Sequence, residues 1–103
     1  MFVIIWQFEV RPEHAAEFEK QYGSQGEWAR LFSRSLQFLG TRLLREVERP
    51  CCYLTLDLWT SETAFQEFES SFHEEYKALD SACERLTLTE TRLGALEASL
   101  QSK

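Results

Sequence analysis

Residues 54–72 read LTLDLWTSETAFQEFESSF, and within this segment a strand pattern gives way to a helical one. The strand pattern ends at Trp59, where Thr60 or Ser61 can cap a helix that begins directly afterwards. The apolar residues of that helix recur at the spacing of one helical face: Phe65, Phe68 and Phe72. The segment therefore predicts a strand followed closely by a helix.

The same plan occurs fifty residues earlier, so the chain contains an internal repeat. Ile4 aligns with Leu54, and Phe18 aligns with Phe68. Each half opens with an extended apolar segment and continues into an amphipathic helix. The repeat predicts two β-α units of similar length within one chain.

The segments outside these two units also have strand character. Residues 36–47 form a moderate strand pattern in which Gly40 is suited to a bulge, and residues 86–93 alternate Thr with Leu or charge. The resulting order is β-α-β-β-α-β, which is the ferredoxin-like arrangement. We therefore expect an α+β fold with a four-stranded antiparallel sheet and helices on one face.

Local signals mark where the predicted helices begin and end. Pro12 suits the first turn of the first helix, and Gly23 is suited to end it. Segments 24–27 and 71–74 have the spacing of capping boxes, so a second short helix is expected in each half. Helical spacing predicts the inward-facing residues of these short helices: Trp28, Leu31, Phe32, Tyr76, Leu79 and Cys83.

The length of 103 residues fits one domain. We place this domain at residues 1–94 and treat residues 95–103 as a C-terminal tail, in which residues 95–102 can form a short helix. Eight Phe, three Tyr and three Trp in so short a chain need a dense core, a second apolar surface, or both.

The charge balance and the cysteines argue against several kinds of partner. The net charge is −6 and no segment concentrates Lys or Arg, so neither nucleic acid nor an anionic membrane is an expected partner. An odd number of cysteines without an export signal predicts reduced thiols in the cytoplasm. Adjacent Cys51 and Cys52 lack the spacing of zinc ligands, and we expect no metal or other cofactor.

The alternation of side chains along the strands predicts two different sheet faces. The face that we assign to the helices carries Ile4, Trp6, Phe8, Leu54, Leu56 and Leu58. The opposite face carries Val3, Ile5, Gln7, Glu9, Tyr53, Thr55, Asp57 and Trp59. Aromatic rings beside a few polar groups are typical of a pocket, and such a face is too apolar to remain exposed. We expect a second subunit, a ligand, or both to cover it.

Several segments resemble the antibiotic biosynthesis monooxygenase family: FVIIWQFEVRP, GEWARLF, FLGTRLLRE, YLTLDLWTSETAFQEF, EYKALDSACERLT and TRLG. The most specific part is the pattern W-x-S-x-x-A-F, formed here by Trp59, Ser61, Ala64 and Phe65. The resemblance extends over residues 1–94. It implies a ferredoxin-like domain that pairs sheet to sheet with a second copy as a dimeric α+β barrel.

The resemblance also implies an activity, because some members of this family oxidise polycyclic phenols or quinols with O₂ and without metal or flavin. We assign catalysis to Trp59, Gln7 and Asp57, and substrate binding to Trp6, Tyr53 and Arg42. The two tryptophans would stack on a flat substrate, and Gln7 would hydrogen-bond its oxygen. Asp57 would act as the base if burial raised its pKa, and Arg42 would stabilise a phenolate.

Each of these assignments has a plain structural alternative. Trp59 and Trp6 also suit a packing role, Gln7 and Asp57 suit a solvated surface, and Arg42 suits an ion pair. The corresponding alternative for the whole protein is a dimer without catalysis, which either binds a small hydrophobic ligand or only assembles.

Some members of the family degrade haem, and this branch is not the expected one. Its members resemble one another in an Asn on the first strand and in a Trp and a His on the helix after the third strand. This chain contains no Asn, has Phe68 at the position of the Trp, and has His73 too early in the sequence. Haem breakdown by that set of residues is therefore unlikely on sequence grounds.

Overall fold

The computed structural model describes residues 1–98 as four strands and four α-helices. The elements in chain order are β1 (Phe2–Val10), α1 (Ala15–Tyr22), α2 (Glu27–Phe32), β2 (Phe38–Arg45), β3 (Cys52–Trp59), α3 (Glu62–Ser71), α4 (His73–Cys83) and β4 (Thr87–Glu97). Two short 3₁₀ turns, Pro12–His14 and Glu84–Leu86, precede α1 and β4. Each half thus has two successive helices, as the sequence predicts.

The four strands form one antiparallel sheet in the order β2-β3-β1-β4. This order confirms the predicted ferredoxin-like fold. The expected bulge is also present, because the register between β2 and β3 shifts between Phe38 and Gly40. Gly40 has a φ of 134°, which a residue with a side chain rarely adopts.

The register between β1 and β3 corrects the predicted face of β3. Phe2 lies opposite Trp59, and Ile4 lies opposite Asp57, so even residues of β1 pair with odd residues of β3. Residues directly opposite each other point to the same side of an antiparallel sheet. Four residues therefore lie beneath the helices and not on the opposite face: Tyr53, Thr55, Asp57 and Trp59. The prediction assigned the faces of β3 from the fifty-residue repeat, which aligns even residues with even ones. The observed pairing aligns even residues with odd ones, so every side chain of β3 lies on the side opposite to the predicted one.

The helices cover this side of the sheet with an aromatic core. Trp59 is fully buried, with ring centroids of Phe32, Phe38, Phe65 and Phe68 between 5.1 and 5.5 Å away. Phe18 is also fully buried and stacks on Tyr22, with centroids 4.2 Å apart. Interlocked rings of this kind hold α1, α2 and α3 in fixed positions on the sheet.

The opposite face of the sheet is apolar as well, but its composition differs from the prediction. Leu54, Leu56 and Leu58 lie here, next to Val3 and Ile5 of β1. At the edges of this face Leu44 is 47% exposed and Leu96 is 57% exposed. Leucines in β3 therefore form the apolar patch that the prediction gave to aromatic rings, and the helices lie on the other side.

The helix starts agree with the prediction in α3 and differ from it in α2 and α4. Ser61 caps α3 by accepting a hydrogen bond from the N–H of Ala64, at 3.1 Å. No capping box forms over residues 24–27 or 71–74. The chain enters α2 through a buried Gly26, whose N–H donates to the carbonyl of Gly23 at 2.9 Å.

The C-terminal residues lengthen the sheet. Residues 95–97, for which a short helix was predicted, continue β4 and pair with the start of β1. Ala98 then donates its N–H to the carbonyl of Met1, at 2.8 Å. Long-range ladder pairing here overrides the helical propensity of Ala95, Leu96 and Glu97. The rest of the predicted helix lies outside the described residues.

Replacing Gly26 by Ala is expected to destabilise the protein, because the start of α2 leaves no room for a side chain. A Cβ at this position would lie 2.3 Å from the carbonyl oxygen of Gln21, which is backbone and cannot rotate away. We expect Gly26→Ala to lower the free energy of unfolding by about 2 kcal/mol or more in urea titrations. The control is Gly94→Ala, where a Cβ meets nothing within 4 Å. Equal stability of the two variants would contradict this account.

Candidate functional site

A cavity of about 180 Å³ lies between the sheet and helices α2 and α4. Its walls are mostly aromatic, with a small set of polar side chains among them. The lining residues are Trp6, Phe8, Tyr22, Trp28, Phe32, Thr41, Thr55, Asp57, Tyr76, Asp80 and Glu90. For scale, an apolar cavity of roughly 150 Å³ is enough to bind benzene.

The sheet and the helices contribute different kinds of groups to the cavity. Strands β2 and β3 supply the polar floor, in which Thr41 and Asp57 are cross-strand partners. Helix α2 supplies Trp28, whose ring meets that of Tyr76 from α4 edge to face, with centroids 5.1 Å apart. This pair joins the two helices over the floor, so the cavity depends on the docking of α2 against α4.

Asp57 is the carboxylate on the cavity floor. The Thr41 hydroxyl donates a hydrogen bond to Asp57 Oδ1 at 2.8 Å. Burial raises the pKa of Asp57 from 3.8 to about 6, and the hydrogen bond from Thr41 offsets part of this rise. A carboxylate with such a pKa is ionised at neutral pH and is a stronger base than an exposed one, which suits it to accept a proton from a ligand.

Three other titratable groups that line the cavity have raised pKa values, namely Tyr76, Glu90 and Tyr22. Burial raises the pKa of Tyr76 to about 12, with smaller effects from Asp57 and Asp80. Burial, followed by the nearby charges of Asp80 and Glu84, raises the pKa of Glu90. Burial likewise raises the pKa of the Tyr22 hydroxyl. The cavity is therefore acidic in composition, and its most buried carboxyl is that of Asp57 on the floor.

Two of the six predicted site residues line this cavity, namely Trp6 and Asp57. The predicted faces separate them, with Trp6 under the helices and Asp57 on the other side. The register places both under the helices, because Trp6 pairs with Thr55 and the neighbouring Ile4 pairs with Asp57. Their shared location therefore follows from the corrected face of β3.

The structure does not bring the other four predicted residues to the cavity. Trp59 is fully buried among phenylalanines and is not part of the lining. Arg42 is exposed on the opposite face of the sheet. Gln7 and Tyr53 border a separate hollow of about 90 Å³. The hydroxyl of Tyr53 donates to Glu19 Oε2 at 2.5 Å.

Sequence reasoning placed several cavity residues correctly in the core without recognising the cavity. Trp28, Phe32 and Tyr76 have the spacing of inward-facing helical residues. Asp80 follows Tyr76 by four residues and so lies on the same helical face, which is a signal that was available. Thr41 carried no signal, because its contact with Asp57 depends on the register between β2 and β3.

Residues 1–98 contain neither a metal-binding cluster nor a membrane-spanning helix. No group of three or more His, Cys, Asp or Glu side chains in this part of the chain has the geometry of a metal site. Nor does any helix within it have the length and apolar character needed to cross a membrane.

Comparison with protein families gives a match over most of the chain. Residues 1–79 match the family model described as antibiotic biosynthesis monooxygenase. A comparison with curated proteins found no matching sequence.

Several solved structures are similar at low sequence identity. A Caulobacter crescentus CB15 protein assigned to the antibiotic biosynthesis monooxygenases gives a TM-score of 0.72 at 21% identity, covering 95% of this chain and 89% of that one. SnoaB, a cofactor-independent oxygenase from Streptomyces nogalater, gives 0.64 at 23% identity, covering 95% and 92%. A mutant of MhuD with two manganese protoporphyrin IX molecules bound per active site gives 0.68 at 24% identity, covering 100% and 99%. These similarities support the fold.

Replacing Asp57 by Asn is expected to stabilise the protein in a pH-dependent way. The folded protein holds the Asp57 proton up to about pH 6, whereas an unperturbed carboxyl releases it near 3.8. The free energy of unfolding therefore falls as the pH rises through this interval and stays lower above it. We expect Asp57→Asn to gain on the order of 2 kcal/mol over the wild type at about pH 8 and almost nothing at about pH 4.

Urea titrations at both pH values measure this difference. The control is Glu13→Gln, which removes one negative charge from the exposed turn before α1. The gain in the free energy of unfolding for Asp57→Asn could instead be the same at both pH values, or Glu13→Gln could reproduce it. Either result would contradict a destabilising effect of the buried Asp57 carboxylate.

Proposed function

This chain belongs to the antibiotic biosynthesis monooxygenase family, and on that premise we propose that it is a cofactor-independent monooxygenase acting on an aromatic or quinol-like small molecule. The observation that carries the proposal is a buried carboxylate, Asp57, on the floor of an aromatic cavity. Oxidation without a cofactor needs a base that ionises the substrate and a dry space in which the resulting carbanion or phenolate meets O₂. The cavity supplies the base, and the burial of Asp57 withdraws its carboxylate from water.

The proposed roles follow the positions of the side chains. Asp57 accepts the proton of the substrate, and Thr41 orients the carboxylate through its hydrogen bond. Trp6 and Trp28 form walls on which a flat ring can lie. Trp59 acts only as a positioning residue, because it packs behind Phe32 with centroids 5.5 Å apart and does not reach the cavity.

The electrons for this reaction come from the substrate. Loss of a proton to Asp57 leaves an electron-rich anion, which reduces O₂ and combines with it at a ring carbon. When a ring methylene is the site of attack, it becomes a carbonyl with one oxygen atom, and the second oxygen atom leaves as water. The methylene loses four electrons and O₂ gains four, so no other reductant is needed.

The similar structures support this proposal in unequal measure. SnoaB is described as a cofactor-independent oxygenase, which agrees with a cavity whose chemistry needs only a base. MhuD binds manganese porphyrin, but the cavity of this chain does not fit such a group well. No histidine lines it within residues 1–98, and the raised pKa values of Tyr22 and Tyr76 keep their hydroxyls protonated. We therefore route no step through haem.

We also propose that the protein is a homodimer that pairs through the leucine-rich face of the sheet. The central leucines of β3 and the neighbouring Val3 and Ile5 form a continuous apolar surface that no helix covers in residues 1–98. Monomers seldom expose apolar patches larger than a few hundred Å². All three cysteines of the chain are free thiols, which fits the proposed cytoplasmic location.

A dimer that binds a small hydrophobic ligand without catalysis is the second candidate. One observation favours it: no Arg or Lys lines the cavity within residues 1–98, so no side-chain cation stabilises a phenolate. Oxygen consumption separates the two candidates, because only the first predicts turnover.

We expect the protein to accelerate the oxidation of anthrone by O₂, and Asp57→Asn to slow this reaction by about 100-fold or more, since general-base catalysis contributes that much. The rate should rise with pH across about 6, where Asp57 ionises. An oxygen electrode measures the rate. Glu13→Gln should retain wild-type activity, because this residue is exposed and distant from the cavity. Wild-type oxygen uptake no faster than the rate without protein would favour the second candidate.

Replacing Leu56 by Arg is expected to produce a monomer. Leu56 lies in the middle of β3 on the leucine-rich face, where a buried guanidinium without a partner would oppose pairing. Light scattering should give twice the chain mass of 12.1 kDa for the wild type and 12.1 kDa for the variant. Leu36→Arg, at a leucine that is 96% exposed before β2, should remain dimeric. A monomeric wild type at micromolar concentration would refute the dimer.

A further inference from the structure

The cavity is distinguished by its charge as well as by its aromatic walls. It contains three carboxyl groups, those of Asp57, Asp80 and Glu90, and no lining Arg or Lys in the described part of the chain. The carboxyls come from three different elements, namely β3, α4 and β4. The fold therefore gathers acidic groups here that are far apart in sequence.

None of these carboxyls has a cationic partner within residues 1–98. The ion pairs found there use other acids, such as Glu27 with Arg30 and Glu17 with Arg85. Asp57 accepts only from a neutral hydroxyl. Opposite Trp6 in the register is Arg92, but its side chain is exposed and does not line the cavity. The charge of the cavity is thus uncompensated by the protein.

A second observation points to a ligand in the same place. Trp28 lines the cavity and is 7% exposed, and its indole N–H lies beside the Tyr22 hydroxyl and the Cys83 thiol without a well-formed hydrogen bond among the described residues. A buried donor of this kind costs free energy unless a ligand or water accepts from it. The indole and phenol rings of Trp6, Trp28 and Tyr76 also attract cations through their faces.

We propose that the cavity binds an aromatic ligand that carries a protonated amine and an oxygen able to accept a hydrogen bond. The ammonium group lies on the side of Asp80 and Glu90, where the aromatic walls add to the attraction. The hydroxyl of the ligand ring lies toward Asp57, and its oxygen can accept from the indole of Trp28. This inference takes from the proposed function only the choice of the cavity as the ligand site, and it does not depend on turnover.

The proposal narrows the substrate class to aromatic amines with a phenolic or quinol-like hydroxyl. Carboxylated phenols are excluded, because their negative charge would meet three carboxyl groups and no lining Arg or Lys in the described part of the chain. The net charge of −6 also slows the approach of an anion and favours that of a cation. Burial raises the pKa of Glu90, and the nearby charges of Asp80 and Glu84 add to this rise.

Three small phenols that differ only in the charge of one substituent test the proposal. Tyramine carries an ammonium, tyrosol a neutral hydroxyl, and para-hydroxyphenylacetate a carboxylate. Isothermal titration with the full-length protein at neutral pH should give a Kd about tenfold lower for tyramine than for tyrosol. Para-hydroxyphenylacetate should bind more weakly than tyrosol.

Variants locate the charge that is responsible. The double variant Asp80→Asn with Glu90→Gln should bring the Kd of tyramine close to that of tyrosol and leave the Kd of tyrosol unchanged. The matched control is Glu13→Gln with Glu48→Gln, which removes the same charge from exposed positions distant from the cavity. This control should keep the wild-type preference.

The outcomes separate the inference from the proposed function. If tyrosol or para-hydroxyphenylacetate binds as tightly as tyramine, the cavity is a ligand site but the preference for a cation is refuted. If the control variant loses the preference as the cavity variant does, overall charge is responsible and the inference also fails. If none of the three phenols binds to the wild type, the inference is refuted, whereas the proposed function stands or falls with the oxygen uptake measured with anthrone.

Discussion

Antiparallel pairing of β1 with β3 determines what the helices cover. It aligns the even residues of one strand with the odd residues of the other, so that Trp6, Thr55 and Asp57 share a side. A slip of one residue would exchange the two faces of β3, burying leucines and exposing an acid and two rings. This register brings a carboxylate beneath the helices, where aromatic rings from α2 and α4 lie over it.

Burial of Asp57 has opposite effects on stability and on chemistry. Its raised pKa means that the folded protein tolerates the charge poorly, and Thr41 compensates for only part of the lost hydration. The same environment makes the carboxylate a better base at neutral pH. Buried groups that lower the stability of a protein are often those that act on a ligand. The unpartnered N–H of Trp28 in the same cavity fits this interpretation.

Much of the fold could be predicted from local patterns, and the site only in part. The end of β3 at Trp59, the bulge at Gly40 and a helix cap at Thr60 or Ser61 were all predicted from the sequence, because each depends on neighbouring residues. Trp6 and Asp57 were selected as site residues, yet on opposite faces. Gln7 was selected for its amide and Arg42 for its charge on the second strand, and both lie on the face without helices, opposite the cavity.

Short segments of the sequence carry three signals: alternating side chains along strands, helical spacing of Phe, Trp and Tyr, and turn residues. These signals were enough to establish the ferredoxin-like order of elements. They leave the phase of one strand against another undetermined, because a period of two fits either face equally well. Packing between segments far apart in the chain resolves that ambiguity. The contact of Thr41 with Asp57 and the approach of Asp80 and Glu90 therefore emerge only when β2, β3, α4 and β4 are assembled.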